Sequence, residues 1–198
     1  MKSDYKISSI SKDDCVQLLT EHHYLSKISK GFKSKFNYGL LFNDQIVGVC
    51  IFTGFPVPEL SVGMLGIERD DQDGLFELSR LVLDPYHQNR EHNLAGWFVS
   101  RAIKRLRRDT DVRVILSYAD DDFHAGTVYR ALGFDYYGMT KPKKDFWVKQ
   151  PDGSFVKQSR GKTKGVDGEW RHRSRKHRFV KIFDNNLTMR WCKEGRIQ

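Results

Sequence analysis

The sequence is poor in the features that would place it quickly. Its 198 residues hold three cysteines and five prolines. Cys15, Cys50 and Cys192 are far apart, odd in number and without C-x-x-C spacing. That argues against a disulfide frame or a cysteine zinc site and predicts reduced thiols, behaving as small buried hydrophobes. No apolar run approaches the ~20 residues of a membrane-spanning helix. The opening MKSDYKISSI lacks the apolar core of a secretory signal. A cytoplasmic protein without a membrane partner is expected. No internal repeat and no low-complexity linker occurs, so the length predicts one domain with room for an appendage.

What the chain does have is unevenly placed positive charge. The net charge is +9. Residues 1–137 carry 17 Lys and Arg against 19 Asp and Glu, whereas residues 138–181 carry 14 against 4. A local excess of +10 beside Trp147, Phe155 and Trp170 points to a polyanion, and nucleic acid is the expected partner. The cations expected to meet it are Arg160, Lys162, Lys164, Arg171, Arg173, Arg175, Lys176 and Arg178. A solvated basic surface is the plainer alternative.

Hydrophobic periodicity gives the order of elements. YKISSI predicts a strand, and Ser11 opens a helical pattern to about His22 with Asp13 and Asp14 in its first turn. Residues 36–42 and 45–52 are apolar strands across an Asn-Asp turn. GFPVPEL reads as a loop, LFELSRLVLDP as a strand and YHQNREHN as a loop. Residues 93–108 form the strongest helix, with Leu94, Ala95, Phe98, Val99, Ala102, Ile103 and Leu106 in one stripe. VRVILSYA predicts a buried strand, DDDFHAGTVYRALG a short helix and FDYYGM another strand. DFWVKQPDGSFVKQ predicts a hairpin turning at Asp-Gly, SRGKTKGVDGEWRHRSR a loop, and HRFVKIF a last strand. The pattern predicts an α/β (α+β) fold with a mixed central sheet. Residues 1–138 would form the core, and residues 139–198 a basic β-rich extension packed on it or extending it.

Two places invite chemistry. The crossover from SRLVLDP through YHQNREHN into the long helix offers backbone N–H groups at a positive helix end, a general anion site. The segment HAGTVYRALGF ends a helix on Tyr-x-x-x-Gly-Phe. In this order of elements, residues up to about 138 resemble the GCN5-related N-acyltransferase fold. The resemblance implies acyl-coenzyme A (such as acetyl-coenzyme A) as cofactor. The backbone of Leu81, Val82 and Leu83 would meet its pantetheine, and Gln88, Asn89, Arg90, Asn93, Leu94 and Ala95 its pyrophosphate. It also implies Tyr129 as the general acid for the departing thiolate, a role for which a neutral phenol is suited; a Tyr packed on the sheet is the alternative. Aligned on Gln88, Glu91 and Asn93 stand where the acyltransferase loop carries its two small residues, a glycine and then a glycine or alanine.

EHHYLSK, NYGLLFNDQIVGVCIFTGFP, FELSRLVLDP, SYADDDFHAGTVYRALGF and RHRSRKHRFVKIF, in that order, resemble the phage Mom proteins over residues 20–183. That resemblance implies modification of adenine in DNA at its exocyclic N6 with a methylcarbamoyl group, which protects the DNA from restriction. It leaves open whether a metal takes part. The acceptor residues would then be Tyr24, Arg80, Tyr118, Asp120 and His124, with Tyr129 opposite. Arg80 lies on the face of its strand away from Leu81 and could orient a base, or pair with Glu77. Asp120 could be a base, a metal ligand or the N-cap of the next helix, and His124 could pair with it. Tyr24 follows His22 and His23 at the end of the first helix. Two further readings stand beside this one: a conventional acyl-coenzyme A N-acyltransferase, and a DNA-binding protein on the same fold without catalysis.

Overall fold

A computed structural model describes residues 2–22, 31–158, 161 and 163–195. The elements run β1 (Tyr5–Ser9), α1 (Lys12–His22), β2 (Phe36–Phe42), β3 (Gln45–Gly54), α2 (Glu59–Leu65), β4 (Leu75–Leu83), α3 (Pro85–Arg90), α4 (Leu94–Asp109), β5 (Val114–Asp120), α5 (Thr127–Ala131), β6 (Asp135–Met139), β7 (Lys143–Lys149), β8 (Phe155–Lys157), β9 (Gly168–Arg173) and β10 (Lys176–Ile182). Among the described residues ten strands form two sheets: seven in the order β1-β2-β3-β4-β5-β10-β6, and three in the order β8-β7-β9. All neighbours are antiparallel except β4 and β5.

The expected helical stripe is the main support of one face of the large sheet. Leu94, Phe98, Val99, Ala102, Ile103 and Leu106 are all buried, packed with Phe52, Phe76, Leu78, Ile115 and Phe179. Each such large side chain removed from water contributes ~1.5–3 kcal/mol. The other face is covered by Cys15, Leu18 and Leu19 of α1 and by Met64 and Leu65 of α2. Cys15 and Cys50 are the buried thiols the sequence predicts, and burial pushes the Cys15 thiol up to about 12; Cys192 is exposed. Asn43 and Asp44 turn β2 into β3 with φ of 49° and 60°, the paired left-handed conformation that fits a two-residue hairpin.

Four expectations change. GFPVPEL is not wholly loop, because its last two residues begin α2, which Pro58 precedes and left-handed Gly66 terminates. YHQNREHN is mostly the helix α3: Asp84 caps it by accepting from the N–H groups of Tyr86 (2.8 Å) and His87 (3.3 Å), with Pro85 at its first position. The helix expected from Asp120 is only Thr127–Ala131. Gly168–Arg173, expected as loop, is a strand paired along β7, open to water on both sides and so free of apolar alternation.

The last strand matters most for the architecture. β10 enters the large sheet between β5 and β6. A boundary at residue 138 would therefore cut that sheet, and the basic residues 140–175 form an insertion between two of its strands.

Candidate active site

A one-residue bulge opens the sheet. Ile51 pairs with Arg80 and Phe52 with Leu78, leaving Ser79 as the extra residue, its hydroxyl donating to the Ile51 carbonyl at 3.2 Å. Bulges bend and twist a strand. Pairing of β4 with β5 stops at Leu78 and Ser117, where the Ser117 hydroxyl donates to the Leu78 carbonyl at 3.0 Å. Beyond that point the strands part, and a cleft lies on each face.

The first cleft, of about 420 Å³, is lined by Leu81, Val82, Leu83, Gln88, Ala95, His22, His124, Gly126, Thr127, Val128 and Tyr129. It brings together five of the nine expected cofactor residues with two of the expected catalytic ones. Tyr129 is clamped: its ring centroid lies 5.7 Å from that of Phe134 and 5.4 Å from that of Phe179. Gly126 permits this approach, since a Cβ there would stand 2.2 Å from the Phe179 ring and its φ is 70°. Gly133, φ 72°, ends the helical turn so that the Phe134 N–H reaches the Tyr129 carbonyl at 3.0 Å. The Tyr-x-x-x-Gly-Phe spacing thus holds one phenol between two phenylalanines at the mouth of the parted strands. Burial pushes the His124 imidazole below its ordinary value, against the pull of Asp120 and with help from Lys176 and His177.

The crossover loop shows why it can dispense with a glycine. Asn93 takes φ 52°, the left-handed conformation glycine adopts freely, and its side chain occupies the space a Cβ on Gly96 would need. Glu91 is extended, φ −113°. Asn89 and Arg90 are exposed on α3, with Arg90 donating to the Tyr86 hydroxyl at 3.2 Å. The Leu94 side chain is buried in the core, so of that residue only the backbone can meet a ligand, and its N–H already donates to Glu91 at 3.2 Å.

The second cleft, of about 960 Å³, lies on the opposite face, with Lys12, Phe32, Lys35, Thr53, Phe55, Glu77, Ser79 and Arg80 in its wall. Arg80 is on this side, away from Leu81, and donates to the Ser79 carbonyl at 2.7 Å. Register places Tyr118 opposite Arg178 and Asp120 opposite Lys176. Burial pushes the Glu77 carboxyl above its usual 4.5, only partly opposed by Arg80 and Lys176. Burial and then the Glu77 charge push the Tyr118 phenol up to about 12, with Arg178 acting the other way. Glu77, Arg80, Tyr118, Lys176 and Arg178 therefore form one electrostatic group. Glu77 entered the sequence reading only as a partner for Arg80; nothing local in FELSRL signals its burial.

Asp120 lines neither cleft but is bonded to the His124 loop of the first and to Lys176, which acts on Glu77 of the second. It is 7% exposed and accepts from the Ser174 hydroxyl, from the Lys176 ammonium at 3.4 Å and from the Asp122 N–H at 3.3 Å. It caps no helix, because α5 starts seven residues later, at Thr127, with Gly126 at its N-cap. Its carbonyl accepts from the N–H groups of Phe123 (3.0 Å) and His124 (2.9 Å), so it shapes the loop carrying His124. His177, 3% exposed, braces the same loop, joining Asp121 at 2.8 Å and the Tyr136 hydroxyl at 2.9 Å. Neither Ser174 nor His177 carried a sequence signal. Among the described residues no group of three His, Cys, Asp or Glu side chains could hold a metal, so no step is assigned to one.

The expected DNA-contacting cations divide. Lys164 and Arg175 are exposed. Arg171 pairs with Glu169, and Arg173 with Asp145 at 2.9 Å. Lys176 and Arg178 turn inward, the latter over the Trp191 ring at 4.4 Å and donating to the Gly138 carbonyl at 3.3 Å. The partners of Arg173, Lys176 and Arg178 lie on other elements, out of reach of a count along the chain. Tyr24, Arg160 and Lys162 lie outside the described residues.

The family model described as the Mom protein family matches residues 4–193. No curated protein matches. Among solved structures, the ribosomal-protein-S18-alanine N-acetyltransferase from Escherichia coli is similar with a TM-score of 0.53 and 13% identity, over 90% of this chain and 93% of that one. A Bacillus subtilis acetyltransferase in complex with CoA has a TM-score of 0.53 and 10% identity, over 90% and 97% of the two chains. The ribosomal-protein-alanine N-acetyltransferase from Brucella melitensis has a TM-score of 0.52 and 14% identity, over 90% and 99%. At these identities the likeness is one of fold, and the fold is that of the GCN5-related acetyltransferases.

Proposed function

The chain belongs to the Mom protein family, and on that premise we propose that it is a phage-type DNA-modification enzyme. It transfers an acyl or methylcarbamoyl-type group to the exocyclic N6 of adenine in double-stranded DNA and thereby protects that DNA from restriction. The observation that carries the reading is the junction at Asp120. Its carbonyl holds the loop whose His124 lines the cleft suited to an acyl thioester, and its carboxylate pairs with Lys176, which acts on Glu77 in the polar cleft of the other face. It also accepts from Ser174 at the root of the basic insertion, whose residues 140–175 hold 11 Lys and Arg against 4 Asp and Glu.

The residues fit acyl-coenzyme A in kind. Leu81, Val82 and Leu83 lie on the strand that has lost its neighbour, so their peptide groups can pair with an extended amide chain. Gln88, Ala95 and the start of α4 lie where a pyrophosphate would meet the positive end of a 16-residue helix. A bound thioester supplies an activated carbonyl and a thiolate leaving group. Tyr129, at the cleft mouth, donates its phenolic proton to the leaving sulfur. Glu77, held above the ordinary carboxyl range by burial, is in its ionised form the group that takes the proton lost by the attacking amine, directly or through water. Arg80, Lys176 and Arg178 surround the acceptor with positive charge, and His124, held neutral, can accept a hydrogen bond from the base. Adenine N6 is a weak nucleophile, so this removal of its proton is the step that most needs the protein.

A restriction assay tests the reading: DNA from cells expressing the protein should resist cleavage at adenine-containing sites, and Tyr129→Phe should restore cutting. Full protection by Tyr129→Phe and Glu77→Gln alike would refute this placement of the active site. A second reading, transfer to a small amine, draws on the size of the Glu77 cleft. It predicts thioester turnover with an amine and no DNA present.

A further inference from the structure

We infer that Trp170 is the residue this protein inserts into the base stack of duplex DNA as the target base is drawn out. The inference rests on the DNA-modifying reading and names how the substrate is opened. Four rings belong to the basic insertion: Phe146 is buried, and two more are covered by one cation. The Arg171 guanidinium lies 3.9 Å from the Phe155 ring centroid and 5.4 Å from that of Trp147. Trp170, by contrast, is 58% exposed.

Its setting is built rather than incidental. Trp170 pairs across strands with Phe146, which is 8% exposed, at a ring-centroid distance of 5.2 Å, so the exposed indole stands on a fixed apolar base. By strand alternation Val148 and Val156 share its face, and Val156 is 53% exposed. Lys144, also on that face, is exposed, as are Lys143 and Lys149 on the other. An exposed indole with an exposed lysine on its own face and two more on the reverse of the same strand can meet a base stack and its phosphates together; apolar wedges kink and unstack duplexes elsewhere. A base-modifying enzyme must also unstack its target, at a cost of a few kcal/mol.

Position supports the same role. The strand carrying Trp170 runs into Ser174, whose hydroxyl donates to Asp120, while Arg175 accepts from the Asp121 N–H at 3.0 Å. Four extended residues, at most ~13 Å, separate the indole from that anchor. This is on the order of the ~12 Å width of the major groove.

The test uses duplexes with a central 2-aminopurine·thymine pair, whose fluorescence rises when the analogue unstacks, and with randomised flanking bases. Wild-type protein should raise the signal. Trp170→Ala should reduce the extruded fraction on the order of 10-fold with duplex affinity held within about threefold, and Trp170→Phe should keep most of the signal. Placing an abasic site opposite the analogue removes the pairing cost and should restore the Trp170→Ala signal. An undiminished signal in Trp170→Ala, or a loss that the abasic duplex fails to restore, overturns the inference. Wild-type binding to duplex without any rise also overturns it and leaves the DNA reading standing. No binding to duplex by the wild type overturns both.

Discussion

The seven-stranded sheet and the three-stranded insertion are held together by different physics. In the large sheet both faces are buried under helices, and its stability comes from side chains such as Phe98, Phe179 and Leu116, each fully removed from water. In the small sheet Phe146 is the one strand residue in the buried class. There Asp145 gathers Lys157 at 2.6 Å and Arg173 at 2.9 Å, and Arg171 is spread over two rings. Exposed ion pairs of this kind contribute ~0–1 kcal/mol. On the proposed DNA-modifying reading the contrast separates the work: the packed core positions the reacting groups, and the thin polar arm is the part that meets the polyanion. Ser174 and His177 are where the two join.

The contrast can be broken by mutation, most severely at the active site. Tyr129→Phe removes one hydroxyl from a ring clamped on both sides, so the rate should fall ~10²–10⁴-fold with the melting temperature almost unchanged. A rate within a fewfold of wild type, measured on modified DNA by mass, would reassign the acid. Next in size is Phe98→Ala, which empties the centre of the core and should cost ~3–5 kcal/mol in denaturant unfolding. Val156→Ala in the arm should cost less than ~1 kcal/mol, because an exposed residue loses little. Equal losses would mean that core and arm are one cooperative layer.

The arm has its own test. Replacing Lys143, Lys144 and Lys149 together by Gln should lower the salt slope of duplex binding by up to ~3 units, about 0.9 for each cation that meets a phosphate. Thermal unfolding should barely move. An unchanged slope would place the DNA elsewhere on the molecule.

The smallest effect is the most pointed. Glu77 holds its proton more tightly in the folded chain than at the usual carboxyl value of 4.5, so its ionised form costs stability above its raised folded value, and that cost disappears as pH falls. Glu77→Gln should therefore raise the melting temperature at neutral pH, with the gain shrinking as pH is lowered through the raised value, while activity falls. Its loss should also remove the acid limb of the rate profile. A variant less stable at neutral pH would show that burial of Glu77 is compensated by pairing with Arg80 and Lys176.

Much of the core was legible because its signals are local. Asn43-Asp44, the α4 stripe and the Tyr129–Gly133–Phe134 spacing each state their structure within a few residues. What escaped depends on register between distant strands. The extra residue at Ser79 is visible only against Ile51, and the entry of β10 between β5 and β6 only against Ser117 and Tyr136. The group around Glu77 joins residues up to about a hundred positions apart. Charge counting found the basic insertion but could not tell Lys176 and Arg178, which turn inward, from the exposed lysines of β7.

The most direct measurement is the mass of the nucleosides in DNA from a bacterium expressing this chain, set beside an empty-vector control and the Tyr129→Phe variant. The account predicts a new adenine-derived nucleoside, heavier than deoxyadenosine by the transferred group and absent from both controls. Soluble protein with an unaltered nucleoside profile would contradict the claim that DNA adenine is its substrate.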